Sequence, residues 1–230
     1  MELPRGSTVL RSSLHQVSTA NASSMMNPWL TISLEDYESH MALPMVGQAA
    51  MFANQLTELL KTYMPTSVAV VGCAGGNGLQ EAARSGVKRL IGLDINPAYV
   101  NEARRRYSGR ISGLELYCAN IEETIPAPPV QMVYAALVFE YVNPARALAN
   151  LRGLCLPGGI LVALLQLPKE GASNISLSPF AALEALSSIM QLVAPEELRA
   201  VAEGLSFRFL TEKLIALESG KQFALLTFRY

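Results

Sequence analysis

Hydrophobic positions along the chain fall into two alternating rhythms. Short runs of four to seven apolar, often β-branched residues recur between segments whose apolar positions repeat at helical spacing. "VAVV" (68–71) leads into Gly72. "RLIGLD" (89–94), "LELYCAN" (114–120), "VQMVYAALVF" (130–139) and "ILVALLQL" (160–167) read as four further strands. The segments between them read as helices. "LQEAARSG" ends on Gly86, "NPAYVNEARRRY" opens on a capping Asn96 with Pro97 in first position, and "NPARALANLRGLC" repeats that opening. "LPGG" (156–159) reads as a turn. Strands that alternate with helices predict an α/β fold, a doubly wound, mostly parallel sheet covered on both faces.

The ends of the chain keep a different rhythm. Residues 33–64 predict two helical pieces around Pro44. Ser33 is the N-cap of the first, and the second places Val46, Ala49, Ala50, Ala53, Leu56, Leu59 and Leu60 near one face. Together they predict a helical lid ahead of the first strand. "SPFAALEALSSIM" and "PEELRAVAEGL" predict two late helices. "SFRFLTEKLIALES" and "KQFALLTFRY", broken at Gly220, predict a C-terminal antiparallel hairpin. The expected sheet therefore has seven strands.

Residues 1–25 lack this patterning. They are rich in Ser and Thr and carry Arg5 and Arg11 against a lone Glu2. Such a segment reads as a mobile tail, as residues upstream of a start at Met25 or Met26, or as an organelle leader. Residues 26–230 read as one folded domain. Five methionines (Met25, Met26, Met41, Met45 and Met51) gather nearby and read as packing, or as part of an apolar lid.

Composition narrows the function. Half of the 230 residues are hydrophobic, enough for a sizeable core. Eighteen basic against nineteen acidic residues give a net charge of −1, with no general pull toward nucleic acid or anionic lipid. The run "EARRRY" reads as a solvated helix face. No apolar run reaches the length of a membrane span. Cys73, Cys118 and Cys155 are too far apart for a zinc motif or a disulfide framework, which points to a reducing, cytoplasmic setting.

The candidate chemistry sits where the first strand gives way to "GCAGGNG" (72–78). In a doubly wound sheet, ligands bind beyond the strand C-termini, where strand order reverses. Glycines there allow a sharp turn and a close backbone approach. Asp94 closes the second strand 22 positions after Gly72, where a carboxylate can accept from both hydroxyls of a ribose. The missing Lys-Ser/Thr pair excludes a P-loop. A nicotinamide or flavin dinucleotide and S-adenosylmethionine (SAM) all fit this much.

"VVGCAGGNG", "IGLDINP", "YCANIEE" and "LCLPGG" occur in the order and spacing of class I SAM-dependent methyltransferases, and residues 28–230 resemble that family. The resemblance implies a cofactor site at Gly72, Cys73, Ala74 and Gly76 of the loop, with Asp94 and Ile95, Asn120 and Ile121, and Leu137 around the nucleoside. It places Tyr37 of the lid at the carboxylate end of SAM. Three positions depart from the family pattern: Ala74 for a glycine, Val70 for an acid and Asn120 for an aspartate. The Asn120 amide oxygen retains the acceptor that an adenine amino group needs.

On the acceptor side the candidates are His40, which shares a helix face with Tyr37, and Glu140 beyond the fourth strand, both as general bases. Each also has a plainer reading, His40 as a surface histidine and Glu140 as a polar residue at a helix start. Tyr141, Gln166 and the loop 167–176 are candidates to close a substrate pocket. The Asn/Asp-Pro-Pro-aromatic motif and the strand-four aspartate of metal-dependent relatives are absent, since Ala135 and Ala136 stand there. The expectation is metal-free, in-line methyl transfer to a small molecule, with no nucleic-acid or membrane partner and with homo-oligomer formation left open. A nicotinamide-dependent oxidoreductase and a non-catalytic SAM-binding protein are the alternatives.

Overall fold

The computed structural model describes residues 27–44, 46–169, 174–176 and 179–230. The readings of residues 1–25, Met26 and Met45 lie outside these residues. Seven strands form one sheet: β1 (Ser67–Val71), β2 (Arg89–Asp94), β3 (Leu114–Cys118), β4 (Val130–Ala136), β5 (Cys155–Gln166), β6 (Arg208–Ala216) and β7 (Gln222–Arg229). Their order is β3-β2-β1-β4-β5-β7-β6. The first five run parallel. β7 pairs antiparallel with both β5 and β6, as the expected C-terminal hairpin requires.

Alternation along the strands feeds two cores. Ala69, Val71, Val133, Ala135, Leu161 and Ala163 face helices α5 (Pro144–Leu154) and α6 (Pro195–Gly204). Val68, Val70, Met132, Tyr134, Val162 and Leu164 face α2 (Gln48–Tyr63) and α3 (Leu79–Arg84). Because side chains alternate with a period of two, a central strand buried on both faces must be apolar throughout. That is the physical basis of the continuous runs. α4 (Pro97–Tyr107) packs on β2 and β3.

The expected caps form. Ser33 Oγ accepts from Asp36 N at 3.0 Å and opens α1 (Leu34–Met41). Asn96 Oδ1 accepts from Ala98 N at 2.8 Å, and Asn143 Oδ1 from Arg146 N at 3.0 Å, each followed by proline in the first helical position.

Local expectations are corrected in four places. "LPGG" lies inside β5 as an irregularity rather than a turn ahead of it: Cys155 pairs with Val130 but Ile160 with Met132, so the intervening residues bulge, with Gly158 at φ +80°. The described part of the segment predicted as the first late helix, 179–190, forms a 3-10 helix at Ala181–Ser188 rather than an α-helix; Ser178 lies outside the described residues. The inward face of α2 is turned from the expected one. Ala49 and Ala50 are exposed, while Gln48, Met51 and Gln55 are buried beside Leu56, Leu59 and Leu60. Finally, β4 stops at Ala136 and β3 at Cys118, so Leu137, Val138 and Ala119–Asn120 belong to loops and Phe139 to a 3-10 turn.

β1 has β2 on one side and β4 on the other, so the strand order reverses between β1 and β4. The crevice of this fold opens at the C-terminal ends of those two strands.

Candidate active site

The loop after β1 is held by the end of β2. Gly72 N and Cys73 N both donate to Leu93 O, at 2.8 and 3.0 Å. The Asp94 carboxylate continues the seam: Oδ2 accepts from Ala74 N at 2.8 Å and Oδ1 from Asn96 N at 2.9 Å. Burial raises the Asp94 pKa against the lowering effect of these amides. Each oxygen keeps a lone pair beyond its backbone partner.

Two glycines of this loop have specific steric tasks. A side chain at Gly72 (φ +71°) would come within 2.6 Å of Val138 in the loop after β4. A side chain at Gly75 would sit 2.6 Å from Glu38 Oε1 and 2.7 Å from Leu34 Cδ2. The bare Gly75 backbone is thus what lets α1 close over the loop. Arg106 of α4 fastens that closure through a two-pronged ion pair with Glu38. Tyr37 Oη accepts from Asn77 Nδ2 at 3.0 Å in the same contact. Burial, and then the Asp94 charge, push the Tyr37 hydroxyl pKa up, so its proton stays on.

A cavity runs from this loop under α1. Gly72, Ala74, Asp94 and Ile95 line one end, with Asn120, Ile121 and Leu137 beside them. Leu137 adopts φ +52°, turning the chain away from β4. The Asn120 side chain is engaged in its own turn. Its Oδ1 accepts from Glu122 N at 3.0 Å and its Nδ2 donates to Glu123 Oε1 at 3.2 Å. Tyr37, His40, Tyr141 and Gln166 line the other parts.

Three sequence candidates fall outside the cavity lining. Cys73 turns its thiol into the core beneath Gly92, where burial raises its pKa. Gly76 (φ +129°) faces the Tyr107 ring, and a side chain there would lie 2.1 Å from Cε2. Glu140 is 1% exposed, and its Oε1 accepts from the backbone N of Gln166 at 2.7 Å. The expectation that it faces an acceptor does not match this placement. His40 is 7% exposed, which removes the surface reading, and its Nδ1 has no hydrogen-bond partner among the described residues.

Sequence reasoning missed several lining residues. Trp29 packs edge-on against both Tyr37 and Tyr141, with centroids 5.8 and 5.1 Å apart. Its carbonyl accepts from Asn96 Nδ2 at 2.8 Å, tying the lid to the cap of α4. Tyr99 donates from Oη to Ile32 O at 3.0 Å. Lys221, one residue ahead of β7, is 9% exposed and lines the cavity beside Gln166 and Asn174. No local pattern marks these positions. Only the general rule that a buried charge needs a purpose flags Lys221 once its burial is known. Among the described residues, no three His, Cys, Asp or Glu side chains gather as metal ligands, and no helix is long and apolar enough to cross a membrane.

Residues 69–163, spanning β1 to β5, match the family model described as a methyltransferase domain. Over these strands the chain is similar to methyltransferases. Among curated proteins it is similar to trans-aconitate 2-methyltransferase of Methylobacterium nodulans, 27% identical over 137 residues, 59% of this chain and 51% of that protein. It is also similar to tRNA U34 carboxymethyltransferase of Shewanella oneidensis, 31% identical over 112 residues, 47% of this chain and 34% of that one. The chain thus spans about half the length of the first relative and a third of the second. The same fold occurs in the N-methyltransferase NodS from Bradyrhizobium japonicum in complex with S-adenosyl-L-homocysteine. The TM-score is 0.64 at 18% identity, with 89% of this chain and 98% of that chain covered.

Proposed function

We propose that this chain is a class I SAM-dependent methyltransferase that transfers a methyl group to a small-molecule acceptor by in-line displacement, without a metal, and that residues 26–230 act as one domain in doing so. The observation that carries the reading is the shared cavity. The Asp94 carboxylate and the Gly72 backbone line the same cavity as His40 and Gln166. When bound, SAM supplies an electrophilic methyl group on a sulfonium.

The residues of the chain bind and orient. Asp94 offers one remaining lone pair on each oxygen to the two ribose hydroxyls. Ile95, Ile121 and Leu137 form apolar walls for the adenine. Asn120 Oδ1, which already accepts from Glu122 N, has a second lone pair for the adenine amino group. Tyr37 keeps a hydroxyl proton to give to the carboxylate end. The remaining task is to hold the acceptor atom on the far side of the methyl group, at a near-attack distance of roughly 3–3.5 Å. A base is needed only when that atom arrives protonated. His40, held neutral by burial and by the Lys221 charge, is the candidate inside the cavity.

A small acceptor fits a site roofed by α1 and a chain without surplus positive charge. The test is calorimetric titration of SAM, S-adenosylhomocysteine (SAH), NADH and NADPH in parallel, followed by a screen of methyl acceptors for SAH release. Binding of SAM and SAH alone, with turnover on a small acceptor, is the expected result. Binding of a nicotinamide cofactor in their place refutes the reading. SAM binding without turnover on any acceptor class would make the chain a binding protein.

A further inference from the structure

Lys221 presents an unusual electrostatic situation. Its ammonium group donates to Asn174 O at 2.7 Å and to Gln166 Oε1 at 3.3 Å, both neutral. Three donors are available on an ammonium, so one is left over. Among the described residues no carboxylate lies within ion-pair distance of it. Burial, and then the charge of a second cation, Lys169, bring its pKa down to about 8. At neutral pH it is still mostly charged. A buried cation without a counter-charge is costly, and the cost falls when an anion arrives.

His40 stands on the same cavity wall. Among the described residues its buried Nδ1 has no partner, and its pKa is lowered by burial and by Lys221. Glu140, next to the cavity residue Tyr141 in sequence, is spent on the Gln166 backbone and does not line the cavity. The same lining contributes the apolar and aromatic side chains of Trp29, Tyr141, Ile175, Leu183, Leu186 and Met190.

The geometry points to an acceptor that carries a carboxylate on an apolar body, with the carboxylate received by Lys221 and His40 and the body lying against Trp29, Tyr141 and the 183–190 segment. This rests on the methyl-transfer reading of the cavity. The Lys221 ammonium supplies a charge-assisted hydrogen bond from its spare proton, and His40 supplies a second donor in its Nδ1–H tautomer. Asp94 occupies the opposite end, so charge along the cavity is graded from negative at the nucleoside end to positive at the acceptor end. An amine-bearing acceptor would meet a buried cation here, a like-charge contact that excludes it.

The experiment uses the full chain, with and without saturating SAH, and titrates matched probes by calorimetry at pH 7. One set is 3-phenylpropanoate, its primary amide and 3-phenylpropan-1-amine. The other is the straight-chain carboxylates from acetate to decanoate with the corresponding amides. The carboxylate of at least one skeleton is expected to bind about tenfold or more tighter than its amide, with no binding of the amine. Lys221→Met is expected to reduce that preference about tenfold, to the level of the amide, while SAH affinity stays at the wild-type value.

Equal affinity for carboxylate and amide, or no carboxylate binding into the millimolar range, overturns the proposal. So does a fall in SAH affinity in a folded Lys221→Met, which would assign Lys221 to the cofactor. His40→Gln is the second variant, and the carboxylate-to-amide ratio of the wild type stands even if both variants fail to fold. Carboxylate preference in a protein that does not bind SAH would leave this proposal standing and refute the methyl-transfer reading instead.

Discussion

Glu140 separates two accounts of the acceptor end, and its replacement by glutamine discriminates between them. A base facing the acceptor should be solvent-reachable when the site is open and should control turnover. The observed carboxyl group is 1% exposed, accepts at Oε1 from the Gln166 backbone N–H, and has no partner at Oε2 among the described residues. Burial, opposed by that amide, pushes its pKa up to about 7 from an ordinary 4.5. The sign of the consequence follows from proton counting. Between these two values the folded chain holds a proton that the unfolded chain releases, so stability falls as pH rises through the window. The contribution is whole below 4.5 and lost above 7. The gap between about 7 and 4.5 corresponds to roughly 3 kcal/mol. Glutamine keeps an oxygen for Gln166 N and cannot ionise. Its amide leaves buried N–H groups unpartnered, a cost of about 1–3 kcal/mol that does not change with pH. The prediction is therefore a difference of slopes. Urea unfolding of wild type and Glu140→Gln from pH 5 to 8 should show the variant gaining about 3 kcal/mol relative to wild type across the range. Parallel curves would refute the buried, proton-holding carboxyl. A turnover loss of the 100-fold or greater size expected for a general base would refute the purely structural role.

Three further perturbations test the cofactor end. Asp94→Asn should weaken SAH binding about tenfold to a hundredfold, by loss of a hydrogen bond to a charged acceptor worth about 1.5–3 kcal/mol. It should also lower the melting temperature, because its amide nitrogen meets either the Ala74 or the Asn96 N–H. An unchanged SAH dissociation constant in calorimetry would reduce Asp94 to a loop brace. Gly76→Ala should lower stability by about 1–3 kcal/mol, since φ +129° is a glycine conformation and the methyl group runs into Tyr107. A thermal melt matching wild type would show that the loop relaxes freely. Glu38→Gln should cost no more than about 1 kcal/mol in stability, because its ion pair with Arg106 is about one-third exposed. It should nevertheless speed SAH release in stopped-flow displacement by loosening α1 from Gly75, and an unaltered off-rate would mean that α1 is not a lid.

Much of the fold is legible locally because its signals are local. The apolar runs of β1, β4 and β5 follow from burial on both faces. The caps at Ser33, Asn96 and Asn143 need only a short polar side chain and the next turn of backbone. Asp94 is readable because β2 ends where β1 ends, a consequence of parallel pairing. The errors arise where conformation is set by a neighbour distant in sequence. Glu140 and Tyr141 are adjacent, but they occupy the 3-10 turn Phe139–Tyr141. Successive residues there point about 120° apart, so one enters the core while the other enters the cavity. Nothing within "FEY" says which. The bulge at "LPGG" depends on the register with Val130 and Met132. Gly76 looks like a cofactor glycine until Tyr107, thirty-one positions on, is seen behind it.

The two ends of the cavity differ in the same respect. The nucleoside end is assembled from the first residues after β1, β2, β3 and β4, so its parts follow the strands in order and share their spacing. The acceptor end is assembled from positions 29, 40, 141, 166, 174 and 221, brought together by the lid and by the pairing of β5 with β7, which places Gln166 opposite Phe223, two residues beyond Lys221. None of these positions is constrained by the turn geometry that holds Gly72 and Asp94. Side chains at the acceptor end can therefore change without disturbing the seam between Leu93, Asp94 and the loop. The cost of such a change falls on burial alone, and Lys221 shows how large a burial cost this end carries. Among the described residues that cation has only the neutral partners Asn174 O and Gln166 Oε1, so on the methyl-transfer reading an entering anion gains most here, and this end, rather than the glycine loop, would distinguish one acceptor from another.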